Sequence, residues 1–236
     1  MTMLSDSDLE RIEEEIEEMY ERRIEEKGTT PEGLYWDSAE SMAIRFDAAL
    51  DMYDFSGKRV LDVGCGFGDF YEHMCDTECE PAEYYGVDIS ESVLDVARGR
   101  FPDCEFERRN ITRRPFDDRQ FDIAVVFGAL NHKLNIVDNE VYFRRVLRSC
   151  CASSDAVLVN ALSRYREGDW PWEESVHYHS PEKAFGYAQE LGRDVVLKHD
   201  FPPIPQKEFH LLFRTGTEDS GVTDRSGVAE IGSGDS

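Results

Sequence analysis

Between Asp6 and Lys27 apolar side chains return at Leu9, Ile12, Ile16, Met19 or Tyr20, and Ile24 on a Glu-rich background. That spacing predicts an amphipathic helix with one stripe to bury. The stretch from Gly28 to Gly33, with Pro31 inside it, breaks the pattern. "DSAESMAIRFDAALDMYDF" then resumes it with Met42, Phe46, Ala49, Leu50 and Tyr53 on one side. Residues 1–56 therefore read as a helical cap in front of a main domain.

From Lys58 the pattern alternates short apolar runs with helical stretches: "RVLDVG" then "DFYEHMCD", "EYYGVDIS" then "SVLDVARGRF", "CEFERRNI", "FDIAVVFGAL" then "NEVYFRRVLRSC", and "DAVLVNAL". Ala124 to Phe127 and Ala156 to Val159 are apolar on successive residues, as expected of parallel strands covered on both faces. The implied fold class is α/β, a doubly wound sheet. "SPEKAFGYAQELG" reads as a helix capped by Ser180 with Pro181 in its first position, and "DVVLKHDF" and "EFHLLFR" as an antiparallel closing pair of strands. The main domain thus spans 57–214. Residues 215–236, rich in Gly, Ser, Thr and Asp, cannot bury enough apolar surface to offset chain entropy and are expected to be a disordered acidic tail.

Composition narrows the setting. The chain has 236 residues and a net charge of −24, with 50 acidic residues against 26 basic ones. Such a surface repels polyanions, and no basic patch with interleaved aromatics offsets it, so nucleic acid is disfavoured as a partner. Adaptation to high salt explains the charge, and an acidic partner-binding surface is the competing reading. The six cysteines form no paired CxxC modules, which points to free thiols in a reducing cytoplasm and to no metal site. No secretion signal and no membrane-spanning run are expected. Oligomeric state is left open.

The chemistry concentrates in "VLDVGCGFGDF", residues 60–70, where Asp62 ends a buried strand and Gly64, Gly66 and Gly68 follow at alternate positions. Alternating glycines let the backbone approach a ligand closely and let a helix start at once with its amides facing the crevice. A dinucleotide-binding GxGxxG would need its third glycine at 69, which is Asp69. The arrangement resembles motif I of the class I S-adenosylmethionine-dependent methyltransferases, and the likeness extends over about residues 17–214 to a group of bacterial and archaeal methyltransferases. It implies a Rossmann-like sheet of about seven strands with an antiparallel closing strand, and S-adenosylmethionine as cofactor. The turn, Cys65 included, would cradle it, and Asp62 would order the loop and the methionine ammonium.

Other positions follow from the same resemblance. Asp88, ending "YYGVDIS" and followed by Ile89, is placed to accept from a ribose hydroxyl pair. Asn110 and Ile111 stand where the family has an acid and an apolar residue at adenine; the acid is missing, and the amide oxygen of Asn110 could take its place by accepting from the adenine amino group. Phe127, at the end of the fourth strand, would pass beside the methionine part. Arg45 stands where related enzymes bring a guanidinium to the methionine carboxylate, with a surface helix arginine in an i, i+4 pair as the alternative.

A sulfonium methyl is already activated, so alignment and exclusion of water are the main requirements. A protic acceptor also needs a base, for which His132 after the fourth strand is the first candidate and His177 and His179 the next, each against an exposed loop histidine. Tyr165, Trp170, Trp172 and Tyr178, with Tyr35 and Trp36, form either an aromatic wall over the acceptor or the anchors of a long loop. No NPPY-type tetrapeptide follows the fourth strand. The expected activity is methyl transfer to a small molecule; the alternatives are an RNA, DNA or protein methyltransferase and a cofactor-binding regulator without transfer activity.

Overall fold

A computed structural model describes residues 4–116, 120–165, 172–200 and 207–216. The helices are α1 (Asp6–Lys27), α2 (Ala39–Met52), α3 (Asp69–Asp76), α4 (Glu91–Arg100), α5 (Asn139–Ser153) and α6 (Pro181–Leu191), with a short 3-10 turn at Pro31–Leu34. The strands are β1 (Arg59–Val63), β2 (Glu83–Asp88), β3 (Glu105–Arg108), β4 (Ile123–Phe127), β5 (Ala156–Leu162), β6 (Gly192–Lys198) and β7 (Glu208–Thr215). They form one seven-stranded sheet in the order β3-β2-β1-β4-β5-β7-β6. Strands β1 to β5 pair in parallel, and β7 runs antiparallel to both of its neighbours.

The side-chain period of two explains why β4 and β5 are apolar throughout. Ala124, Val126, Val157 and Val159 face one core, and Ile123, Val125, Ala156 and Leu158 face the other. The N-terminal helices divide between these two layers. The stripe Leu9, Ile12, Ile16 and Met19 of α1 joins the first core, and Met42, Phe46 and Ala49 of α2 join the second.

Local signals set the helix starts. Ser5 closes a capping box with Asp8, and Ser38, Ser90, Asp138 and Ser180 each accept from a backbone amide of the first turn. The tail expected to be disordered lies outside the described residues from 217 on; Thr215 itself ends β7, where its amide donates to the Asp155 carbonyl.

Candidate active site

The carboxyl ends of β1, β2 and β4 open on a cavity of about 260 Å³, covered by α1 and by the 3-10 turn leading to Trp36. A crevice at this edge, where the strand order reverses between β1 and β4, is where doubly wound sheets bind ligands. The glycine turn forms its floor. Gly64, Gly66 and Gly68 all have positive φ, at 75°, 58° and 80°. A Cβ on Gly66 would sit 2.8 Å from Leu34 Cδ1, so at this positive φ a side chain is strained and must push Leu34 aside. Gly68 is the N-cap of α3, which lets the helix begin directly after the turn.

Backbone bonds lock the turn onto β2. The amides of Gly64 and Cys65 donate to the Val87 carbonyl at 2.8 and 3.1 Å. Asp88 then takes up the loop: Oδ2 accepts from the Gly66 amide at 3.2 Å and Oδ1 from the Ser90 amide at 3.0 Å. A carboxylate has about four lone-pair positions, so beside the Gly66, Ser90 and Ile89 amides that face Asp88 there is room for a ligand hydroxyl. Burial pushes the Asp88 carboxyl upward, and the three backbone donors oppose it.

Asp62, 2% exposed, also lines the cavity and accepts from the Tyr84 hydroxyl. Burial pushes its carboxyl up to about 7, against the lowering effect of that hydrogen bond. Cys65 is buried and its thiol is pushed well above the usual range by burial and by Asp88 and Asp62, which leaves it an inert lining group. Ile89, Ile111 and Phe127 supply apolar walls, Phe127 against Phe46 and Phe70 at ring distances of 5.3 and 4.7 Å.

Two expected contacts need correction. Asn110 lines the cavity, but its Oδ1 already accepts from the Thr112 amide at 2.9 Å and the Thr112 hydroxyl at 2.7 Å. Because an amide N–H can only donate, this fixes Oδ1 as the engaged atom. The group left without a partner is the buried Nδ2, a donor, and the oxygen is not available for an adenine amino group. Arg45 is no surface residue: it is 4% exposed and its Nε and Nη2 donate to Glu208, itself buried at the start of β7. Its Nη1 donates to Ser41, and the guanidinium lies 5.1 Å from the Trp36 ring centroid. The residue lines the cavity as half of a neutral pair, which removes the surface alternative and leaves no free charge for a carboxylate.

The histidines separate clearly. His132 lines the cavity with its Nε2 3.7 Å from Glu15 Oε1 of α1. Burial lowers its pKa and Glu15 partly offsets this. His179 is a core residue: Nε2 meets the Leu130 carbonyl at 2.9 Å, the ring packs 4.8 Å from Phe143, and burial lowers its pKa to about 4. His177 packs edge-on against it, 4.5 Å away, and neither lines the cavity.

The aromatic wall is smaller than the sequence suggests. Tyr35 and Trp36 line the cavity together with Tyr20 of α1, whereas Trp172 and Tyr178 pack edge-to-face on each other at 4.3 Å and Tyr165 bonds to Glu182. Trp170 lies outside the described residues. Tyr20, Arg23, Leu34, Tyr84 and Glu208 were not anticipated as part of the site. Arg23 did leave a signal, four residues after Met19 and seven after Ile16, on the stripe that α1 buries.

The fold is that of the class I S-adenosylmethionine-dependent methyltransferases. Residues 60–151 match a family described as a methyltransferase domain. The phthiotriol/phenolphthiotriol dimycocerosates methyltransferase of Mycobacterium tuberculosis is 34% identical over 98 residues, 40% of this chain and 33% of that protein. The 2-phytyl-1,4-naphtoquinone methyltransferase of Trichormus variabilis is 30% identical over 115 residues, 46% of this chain and 48% of that one. The chain therefore spans between a third and a half of these relatives. Magnesium protoporphyrin IX methyltransferase from Synechocystis, solved with bound S-adenosylhomocysteine, has the same fold, with a TM-score of 0.58 at 12% identity over 75% of this chain and 83% of that one.

The residues present fit the cofactor of this class. Buried carboxylates with free lone pairs suit ribose hydroxyls and an ammonium, and the glycine turn provides a close backbone surface. Among the described residues no helix is long and apolar enough to cross a membrane, and no cluster of His, Cys, Asp and Glu has the arrangement of a metal site.

Proposed function

We propose that the protein is a methyltransferase of the cytoplasm that passes the methyl group of S-adenosylmethionine to a small molecule. The observation that carries this reading is the 3.2 Å contact between the Gly66 amide and Asp88 Oδ2 beside an open cavity. It puts the turn and the carboxylate within reach of one nucleoside. Asp88 would hold the ribose, Ile89 and Ile111 would sandwich the base, and Asp62 would face the amino-acid end. The bound cofactor supplies an electrophilic methyl on a positively charged sulfur. The chain's own work is to align an acceptor with it and keep water out, for which the α1 cover and the Tyr20, Tyr35 and Trp36 rings are suited.

His132 would take the proton of a phenol or ammonium acceptor. Its lowered pKa keeps the ring neutral, hence basic in function, at neutral pH. A small acceptor is favoured by the net charge of −24 and by relatives named for lipid and quinone substrates. Six free cysteines are consistent with a reducing compartment.

The test is an untargeted search for acceptors: a cell extract is incubated with the protein and methyl-labelled cofactor, with Asp88→Ala as control. Label in one low-molecular-weight product, absent in the control, is expected. Label in a nucleic acid or protein fraction would shift the acceptor to a macromolecule. Absence of S-adenosylhomocysteine formation with any fraction would leave a binding protein without transfer activity.

A further inference from the structure

Carboxylates of α1 reach the ends of β3 and β4 and the loops after them, and their partners differ. Glu10 and Glu13 pair with Arg113 at 2.6 and 2.8 Å, and Glu17 pairs with Arg108 at 2.8 Å. Glu15 has no arginine or lysine partner among the described residues. Its Oε1 accepts from the Asn135 side-chain amide at 2.5 Å and from the Asn135 backbone amide at 3.3 Å, and lies 3.7 Å from His132 Nε2. The Glu15 and His132 side chains are 18% and 20% exposed, so water screens them less than it screens a surface pair.

The backbone that carries His132 is held by its neighbours. The Lys133 amide donates to the Ser175 carbonyl and the His177 amide to the Asn131 carbonyl, each at 2.8 Å. Asn139 of α5 donates from Nδ2 to the His132 carbonyl at 2.6 Å, and its Oδ1 accepts from the Leu134 amide at 3.1 Å. The Leu162 amide of β5 donates to Asn131 Oδ1 at 2.9 Å. Rotation of the ring is the freedom that remains, and Glu15 meets one of its nitrogens. The other, Nδ1, makes no hydrogen bond among the described residues and is not sealed from solvent, so it stays accessible where His132 lines the cavity.

A neutral imidazole carries one proton, and a carboxylate beside Nε2 holds it there, because an ionised carboxylate accepts and cannot donate. We propose that Glu15 is the positioning residue for His132: it fixes the Nε2–H tautomer and leaves Nδ1 as the atom that takes a proton from an O–H or N–H acceptor. The proposal rests on the transfer reading above and makes the helix that covers the cavity part of its base. In the step, the O–H or N–H bond of the acceptor breaks, an N–H bond forms at Nδ1, and the electron pair left on the acceptor is free for the methyl. One positive charge then rests on the ring, and Glu15 is the carboxylate placed to offset it. Without that carboxylate, burial alone would act on the ring and make it a weaker base. Tyr142 of α5 and Glu173, ahead of the Val176 bridge, share the cavity, but Glu15 is the charged group that acts on the ring.

Nitrogen NMR of the full chain labelled at histidine tests it, with His132 assigned by the signals lost in His132→Asn. The neutral ring of the wild type is expected as the Nε2–H tautomer, and Glu15→Gln is expected to lower the His132 pKa by roughly one unit. Glu13→Gln removes a carboxylate of the same helix that pairs with Arg113 instead, and should leave the His132 titration in place. Glu15→Gln should also bind S-adenosylhomocysteine within about twofold of the wild type, yet form the labelled product from cell extract about 10-fold more slowly or worse. An Nδ1–H tautomer, an unchanged pKa or an unchanged rate in Glu15→Gln overturns the proposal. So does an equal fall in pKa in both variants, which would mark a general effect of charge on α1, or a large loss of S-adenosylhomocysteine affinity, which would place Glu15 in the cofactor site. Failure of the wild type to bind S-adenosylhomocysteine or to label any product would instead remove the transfer reading itself.

Discussion

The Tyr84 hydroxyl donates to Asp62 Oδ2 across the parallel pair β1 and β2, and it is the one described hydrogen-bond donor to that buried carboxyl. One donor does not offset burial, so the group titrates at about 7, far above the usual carboxylate range. Between the unfolded value near 4 and about 7 the folded protein keeps a proton that the unfolded chain has released. This group's contribution to stability therefore falls as pH rises through that window. Asp62→Asn is expected to raise the thermal midpoint of the ligand-free protein above neutral pH while weakening S-adenosylhomocysteine. If Asp62 holds the ligand ammonium as proposed, wild-type affinity should fall as pH drops through about 7, where the carboxylate is protonated, and the variant should lose that dependence. Thermal melts and titrations across the range read both effects.

Gly66 combines a left-handed φ of 58° with a Cβ position 2.8 Å from Leu34. Gly66→Ala should cost about 1–2 kcal/mol in the turn and displace either Leu34 or the Gly66 amide from Asp88. Denaturant titration should show the loss, and affinity for S-adenosylhomocysteine should fall with it.

The Arg45–Glu208 pair is buried on both sides, and the Asn160 amide donates to the same carboxylate at 2.8 Å. Removing one partner leaves the other charged and desolvated. Glu208→Ala and Arg45→Met should each destabilise the fold by about 3–5 kcal/mol, read by urea denaturation, and the double variant should recover part of the loss. Additive losses in the double variant would show that the two charges do not depend on each other.

The net charge of −24 predicts that molar salt raises the thermal midpoint, because screened carboxylates repel less. A local opposing effect sits on α1, where Glu17 pairs with Arg108 and Glu10 and Glu13 pair with Arg113. Exposed pairs of this kind contribute about 0–1 kcal/mol each, too little to reverse the sign set by the whole surface. Equal midpoints in dilute and molar salt would contradict the high-salt reading.

The sheet was legible because its information is local: four successive apolar residues in β4 demand cover on both faces, and glycines at 64, 66 and 68 demand a tight turn. The helix starts were legible for the same reason, since a cap lies within three residues of what it bonds. Arg45 was misread because its partner Glu208 is 163 residues away, and only the insertion of β7 beside β5 brings them together. Asn110 is different. The donor to its oxygen, Thr112, is two residues on, and Asn followed two positions later by Thr is a local side-chain turn signal that went unused. The aromatic loop divided between two packing partners, which composition alone does not decide.

The central claim is that one nucleoside touches both the glycine turn and Asp88. Titration of the wild type and Asp88→Ala with S-adenosylhomocysteine tests it most directly, with thermal melts confirming that both are folded. The geometry predicts saturable one-to-one binding by the wild type, weakened by roughly 10-fold or more in Asp88→Ala through loss of the charge-assisted bonds to the ribose. Equal binding by the two proteins, or none by the folded wild type, would contradict it.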